Sequence, residues 1–268
     1  TYRNLIDYHL NNGTNGIVPG GTTGESPTLS HSEHKKIIDI AVKECRGKIP
    51  VIAGTGSNST DEAVELSQYA EKAGSDALLV VTPYYNKPTQ EGLYQHYKKI
   101  NDSVGIPIII YNIPSRSVID MSVETMSKLY ELKNITGVKD ATGDLNRVDQ
   151  QLKAMGKDFI QLTGNDDNAL EFNKRGGVGA IGVTANIAAK ISSDFQKACE
   201  QKNEEAETLD KLLQPLHSAL FIESNPSPVK YAASLLGMCN PSVRLPLVEI
   251  REETKKKVSA ALKVAKLL

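Results

Sequence analysis

Short runs of aliphatic and β-branched residues recur along the chain. They are Gly16-Ile-Val18, Pro50-Val-Ile-Ala53, Ala77-Leu-Leu-Val-Val81, Pro107-Ile-Ile-Ile-Tyr111, Ile135-Thr-Gly-Val138, Phe159-Ile-Gln-Leu-Thr163 and Gly177-Val-Gly-Ala-Ile-Gly-Val183. Each is apolar throughout rather than alternating, as in strands buried on both faces, and such strands are usually parallel. Between the runs the period changes to that of a helix. Ser30-His-Ser-Glu33 is a capping box opening the run Lys36, Ile37, Ile38, Ile40 and Ala41. Ser59-Thr-Asp-Glu62 reads as a second box, opening Ala63, Val64, Leu66, Tyr69 and Ala70 and stopping at Gly74. Further apolar faces are Leu93, Tyr97 and Ile100, then Met126, Leu129 and Tyr130, then Leu145, Val148 and Leu152.

Strand starts are spaced by roughly 20–35 residues, the length of one strand–helix unit. Seven strands, each followed by a helix, suit either a doubly wound sheet or a closed barrel. The doubly wound sheet expects a Gly-rich nucleotide fingerprint in its first turn, and no G-x-G-x-x-G occurs. A barrel needs eight strands. The first recognisable element, Tyr2 to Leu10, reads as a helix with Leu5, Ile6 and Leu10 on one face. The pattern therefore predicts an α/β fold, a (β/α)8 TIM barrel whose first strand lies before Thr1. Residues 1–185 are assigned to the barrel. Residues 186–268 are assigned to its last helix and a C-terminal helical region, with a break at Asn225-Pro-Ser-Pro228.

Composition narrows the class without naming a function. Apolar residues make up 40% and charged residues 24% of the 268, as in an ordinary globular domain. A formal net charge of −1 argues against a nucleic-acid or anionic-membrane surface. Cys45, Cys199 and Cys239 are odd in number and far apart, which fits a reducing cytoplasm better than a disulfide framework or a zinc site. No run of about 18 uncharged apolar residues is present, and the start carries no signal-peptide pattern.

In a parallel barrel the reacting groups sit at the C-terminal strand ends and in the loops after them. Those positions hold Gly20-Gly-Thr-Thr-Gly-Glu-Ser26, Thr82-Pro-Tyr-Tyr-Asn86, Tyr111-Asn-Ile-Pro-Ser-Arg116, Lys139 and Thr163-Gly-Asn-Asp-Asp167. A lysine at the inner end of a buried strand has its charged form disfavoured, and a depressed pKa makes it a nucleophile able to form a Schiff base with a carbonyl. The mouth also offers phenols, hydroxyls and a guanidinium, and no matching cluster of metal ligands. Each residue has a plainer reading. Tyr111 suits a core tyrosine, Thr22 and Thr23 a glycine-rich turn, and Arg116 the surface. Tyr84 and Tyr85 suit packing, and Asp140 a solvated loop or a helix cap.

Taken together, Gly21-Thr-Thr-Gly-Glu-Ser26, Pro83-Tyr-Tyr-Asn86, Tyr111-Asn-Ile-Pro-Ser-Arg116, Gly137-Val-Lys-Asp140 and Gly164-Asn-Asp-Asp167 resemble the dihydrodipicolinate synthase family. That family lies in the pyruvate-dependent class I aldolase superfamily, with N-acetylneuraminate lyase. The likeness runs from Thr1 through at least Val248. It implies condensation of pyruvate with L-aspartate 4-semialdehyde to 4-hydroxy-tetrahydrodipicolinate, in lysine and diaminopimelate biosynthesis. It also implies a cytoplasmic homotetramer built as a dimer of dimers, with no cofactor, metal, nucleic acid or membrane partner. The alternative is another pyruvate-dependent aldolase acting on sugar acids. Those lyases typically lack an arginine at the place of Arg116 and carry Ser-Thr where Thr22-Thr23 stand, so Arg116 favours the synthase.

By this resemblance Lys139 forms the Schiff base and Tyr111 shuttles protons. Thr23 links Tyr111 to Tyr85, which reaches into a neighbouring subunit's site. Thr22 and Thr23 bind the pyruvate carboxylate, Gly164 and Ile181 line the pyruvate pocket, and Arg116 holds the carboxylate of the semialdehyde. The resemblance further implies a feedback site for L-lysine at Ser26, Pro27, His31, His34, Asn58, Glu62 and Tyr84. Pro27 departs there from the small residue common in sensitive enzymes, and Glu62 also has a structural use in its capping box.

Overall fold

In the computed structural model, which describes residues 1–268, strands and helices alternate along most of the chain. Helices α1 (Tyr2–Asn11) and α2 (His31–Cys45) precede β1 (Ile52–Gly54). There follow α3 (Thr60–Ala73), β2 (Ala77–Val81), α4 (Gln90–Asn101), β3 (Ile108–Asn112) and the single turn α5 (Pro114–Ser117). Then come α6 (Val123–Tyr130), β4 (Ile135–Asp140), α7 (Asn146–Met155), β5 (Ile160–Thr163), α8 (Ala169–Lys174) and β6 (Gly179–Ala180). The remainder is helical: α9 (Ala189–Glu200), α10 (Glu205–Ala219), α11 (Ser227–Leu235) and α12 (Glu252–Val264). No helix is long and apolar enough to cross a membrane.

Every strand pair is parallel, and the order across the sheet is the order along the chain, β1 to β6. A parallel bridge from Ile17 to Val51 adds one more position before β1. A doubly wound sheet reverses its strand order at a switch point. This sheet never does, which is the order of a barrel wall and makes the fold α/β of the TIM-barrel type.

Alternation along the strands explains the continuous apolar runs, because both faces are covered. Leu78, Val80, Ile108, Ile110 and Val138 turn outward and pack with Ile38, Leu93, Tyr97, Ile100, Met126 and Leu129 of the helices. Leu79, Ile109 and Tyr111 turn the other way, among Val18, Ile52, Val81, Leu162 and Ile181. Fully burying one such Leu or Ile contributes about 1.5–3 kcal/mol, so the two layers together dominate stability. Tyr97 is buried without loss because its hydroxyl donates to the Val80 carbonyl at 2.7 Å. A third apolar cluster joins the C-terminal helices and starts earlier than residue 186, at Ala169, with Val183, Leu213, Leu216, Val229, Val258 and Leu262.

Four expectations change. Gly16–Val18 forms one bridge at Ile17 rather than a strand, and Gly177–Val183 shortens to Gly179–Ala180. Both segments abut glycine-rich turns, which hold too few side chains to sustain a ladder. The box at Ser30 is complete, with the Ser30 hydroxyl accepting from the Glu33 N–H at 3.2 Å and the Glu33 carboxylate accepting from the Ser30 N–H at 2.8 Å. At Ser59 only half of a box exists. Its hydroxyl accepts from the Glu62 N–H at 3.5 Å, but the Glu62 carboxylate turns away to His31 and Ser57, and the Ser59 N–H donates to Ser57 Oγ. On α7 the buried face is Arg147, Val148 and Gln151, while Leu152 is exposed. The cause is Asp140, whose buried carboxylate draws in two polar side chains.

Candidate active site

The register of β3 against β4 sets Tyr111 beside Lys139, and that of β4 against β5 sets Lys139 beside Leu162. Neighbours in register face the same way, so Lys139 points to the inner side with Tyr111. Its Nζ lies 4.1 Å from the centre of the Tyr111 ring, and the residue is only 9% exposed. Lys139 Nζ has no carboxylate within ion-pair distance. Burial lowers its pKa from 10.5 to about 8, against a smaller upward pull from the Asp166 carboxylate. An appreciable fraction of the amine is therefore unprotonated near neutral pH, as a carbonyl-attacking lysine requires.

Gly164 makes room for it, and a second glycine shapes the neighbouring loop. Gly164 follows β5 with its N–H donating to the Asp140 carbonyl at 2.8 Å. A Cβ there would stand 2.7 Å from the Ala141 Cβ and 3.0 Å from the Lys139 Cε, so only glycine leaves the lysine free. Gly20 opens the loop after Ile17 in a left-handed conformation (φ +74°), where a Cβ would strike the His34 ring.

A cavity of about 450 Å³ opens over the lysine, and its wall includes Thr22, Thr23, Tyr111, Arg116, Lys139, Gly164 and Ile181. The fold thus gathers those expected residues from two strands, β3 and β4, and four of the segments that follow strands. Tyr85 is not among them: it sits after β2, 89% exposed, with a left-handed backbone at φ +75°.

Of the two threonines, Thr22 is the one whose side chain lowers the pKa of the Tyr111 phenol. The Thr23 Oγ1 instead accepts from Asn225 Nδ2 at 3.1 Å. The two threonines sit in one turn of 3-10 helix, Thr22–Gly24, so consecutive side chains diverge and only the first faces the phenol. Burial pushes the Tyr111 phenol above its ordinary value, opposed by the Thr22 bond and the Arg116 charge. Asp140 is neither a solvated loop residue nor a helix cap. It is 5% exposed and accepts from Arg147 Nε at 2.9 Å, Gln151 Nε2 at 3.0 Å, and the Thr142 N–H and hydroxyl at 2.9 and 2.6 Å.

Arg116 lies on α5, exposed at the rim, with one guanidinium nitrogen donating to the Asn225 carbonyl at 3.2 Å. The structure also adds residues that the sequence reading passed over. Asp166, inside the quoted Gly164–Asp167 segment, accepts from the Val183 and Thr184 N–H groups at 2.7 and 3.0 Å and borders the cavity. Thr184 pairs with His217 at 2.7 Å. Asn225 comes from the segment between α10 and α11, and its only sequence signal was the Asn-Pro break. His217, alone on a helix, had none.

The residues expected to bind lysine are only partly brought together. His31 Nε2 and the Glu62 carboxylate are 2.6 Å apart, and Glu62 also accepts from the Ser57 hydroxyl. His34 is buried nearby, bonded to the Gly54 carbonyl at 2.7 Å, with its pKa lowered chiefly by burial. The Asn58 carbonyl accepts from Asn86, two residues after Tyr84. Ser26 and Tyr84 make no side-chain hydrogen bond to this group.

Residues 1–265 match the sequence profile of the Dihydrodipicolinate synthetase family. Over 271 aligned residues the chain is 70% identical to the 4-hydroxy-tetrahydrodipicolinate synthase of Pelagibacter ubique, spanning 100% of this chain and 92% of that protein. It superposes with a TM-score of 0.97 on a dihydrodipicolinate synthase from Acinetobacter baumannii complexed with pyruvate, at 45% identity over 100% of this chain and 92% of that one. A dihydrodipicolinate synthase from Cyanidioschyzon merolae with lysine bound matches at 36% identity and a TM-score of 0.95, over 100% and 91% of the two chains.

Proposed function

The chain belongs to the dihydrodipicolinate synthetase family, and on that premise we propose that the cavity around Lys139 carries its chemistry. The reaction is the condensation of pyruvate with L-aspartate 4-semialdehyde to 4-hydroxy-tetrahydrodipicolinate, in lysine and diaminopimelate biosynthesis. The observation that carries the assignment is one buried amine, kept without an ion-pair partner, over the Tyr111 ring.

Lys139 Nζ adds to the ketone carbon of pyruvate, and loss of water leaves a protonated imine. A methyl proton departs to give the enamine. The enamine carbon then bonds to the aldehyde carbon of the semialdehyde, whose oxygen takes a proton. Finally the amine of that substrate attacks the imine carbon and Lys139 leaves as the free amine, closing the ring. Tyr111 is the proton carrier. Its phenol, with a pKa held above the ordinary value, stays protonated near neutral pH and needs a relay to pass its proton on. The relay starts at Thr22, the hydroxyl bonded to it. The exposed Tyr85 extends it by serving the mouth of a second copy of the chain, a reading supported by its near-complete exposure on a strained loop. Thr22 and Thr23 take the pyruvate carboxylate, Gly164 and Ile181 line its pocket, and Arg116 takes the semialdehyde carboxylate bidentately. Arg116 is also why a sugar-acid substrate is not favoured.

The same reading extends outward. Residues 1–185 supply seven strand positions of the barrel, and residues 186–268 supply its last helix and a helical extension. The assembly is a homotetramer, a dimer of dimers, in the cytoplasm, where Cys45, Cys199 and Cys239 stay free. L-Lysine acts as a feedback inhibitor at the His31–Glu62 group, with Glu62 facing the effector's ammonium and Ser26, His34, Asn58 and Tyr84 around it; the lysine-bound relative supports this.

Borohydride reduction in the presence of pyruvate tests the core of the proposal. The parent protein gains the mass of one reduced pyruvate, Lys139→Ala gains none, and Arg116→Ala keeps the adduct while losing turnover of the semialdehyde. An unmodified parent protein would remove the Schiff-base mechanism.

A further inference from the structure

Asn225, from the segment between α10 and α11, lines the cavity and hydrogen-bonds both Arg116 and Thr23. Its backbone carbonyl accepts from Arg116 at 3.2 Å, and its Nδ2 donates to Thr23 Oγ1 at 3.1 Å. It is only 5% exposed and lines the cavity, yet its Oδ1 is buried with no hydrogen-bond donor. A buried amide oxygen without a partner is costly and rare. The orientation of the amide follows from Thr23. A hydroxyl that accepts from Nδ2 has its own proton free to donate to a carboxylate, so the Asn225 oxygen is the atom left as an acceptor.

The semialdehyde carries its ammonium group one carbon from the carboxylate. If Arg116 holds that carboxylate, the ammonium, two bonds from the carboxyl carbon, lies beside the guanidinium and needs an acceptor there. Asn225 is the cavity residue bonded to Arg116. Asp166 is a poorer candidate. One of its oxygens is committed to the Val183 and Thr184 amides, and its charge acts on Lys139, on the pyruvate side. A neutral acceptor also suits the chemistry, because the amine must lose its proton to close the ring. A carboxylate in that place would hold the proton more tightly.

We infer that the Asn225 side-chain oxygen binds the α-ammonium group of L-aspartate 4-semialdehyde, making Asn225 a specificity-determining residue for the second substrate. The inference rests on Arg116 taking the carboxylate. Succinate semialdehyde, the same aldehyde acid without the amine, separates the contacts. The quantity to measure is the ratio of kcat/KM for aspartate semialdehyde to the competitive affinity for succinate semialdehyde, on enzyme saturated with pyruvate. Asn225→Ala should lower that ratio about tenfold or more, because only the amine-bearing compound loses a partner. Asn225→Asp keeps an oxygen at that position and should hold the KM for aspartate semialdehyde within about threefold while lowering kcat. Equal losses for both aldehydes in Asn225→Ala, or an Asn225→Asp that loses KM as fully as the alanine variant, would overturn the inference. The underlying Arg116 reading fails separately, if Arg116→Ala leaves the affinity for succinate semialdehyde unchanged.

Discussion

Lys139 and Asp140 are consecutive residues at the end of β4, both ionisable and both more than nine-tenths buried. One strand alternation separates them: Lys139 faces the mouth and Asp140 the helices. Asp140 meets the ordinary requirement for a buried charge, with Arg147 paired to it and Gln151 and Thr142 filling the remaining lone pairs. Arg147 continues the network to the Met121 carbonyl at 2.8 Å and toward Asp120, whose carboxylate accepts from Asn112 at 2.7 Å. Lys139 has an aromatic face and a distant carboxylate, and no more. The satisfied charge secures the end of the strand. The unsatisfied one is left reactive.

The comparison is sharpest where each charge is removed. Lys139→Met should abolish turnover, a loss of at least about 10³-fold, and yet stabilise the fold. The sign follows from linkage. Folding lowers the lysine pKa from 10.5 to about 8, so the native state binds its proton less well. The penalty is complete below about pH 8 and gone above 10.5, so the gain seen by urea denaturation at pH 7 should fade as pH rises through that window. A variant less stable than its parent at pH 7 would contradict the reading of Lys139 as an unsatisfied charge.

Asp140→Ala should do the reverse. It strands Arg147 in the interior at a cost of about 3–5 kcal/mol in urea denaturation. The protein that remains folded should still take the pyruvate label. Replacing both partners, as Asp140→Leu with Arg147→Met, should recover much of that loss. If the single change is nearly neutral, the network is not the anchor described.

A smaller effect lies in pH. The initial rate of pyruvate labelling should rise as Lys139 loses its proton, by up to tenfold per pH unit, and level off above about pH 8. A plateau reached only near pH 10 would mean that the amine is solvated in solution.

How much of this was legible beforehand depended on whether a signal is local. The Ala77–Val81 strand and the Leu93–Tyr97–Ile100 face stand as read, because a continuous apolar run and a 3.6-residue period are properties of the segment itself. So is the complete cap at Ser30. Three other places turn on a partner outside the segment itself. Glu62 left its box for His31, thirty-one residues away. Arg147 and Gln151 displaced Leu152 from the interior because Asp140 needed them. Which threonine meets the phenol was not legible, because one turn of backbone aims Thr22 at Tyr111 while Asn225, 202 residues on, holds Thr23.

The sequence by itself determined the parallel α/β layering and placed Lys139, Tyr111 and Arg116 at strand ends on one rim. Hydrophobic periodicity and strand polarity are encoded residue by residue. Tertiary structure alone decided which charge is paired and which is left, which threonine meets the phenol, and that an asparagine between α10 and α11 joins the cavity wall. Those outcomes depend on distances and desolvation between separate segments of the chain, and a linear pattern carries neither.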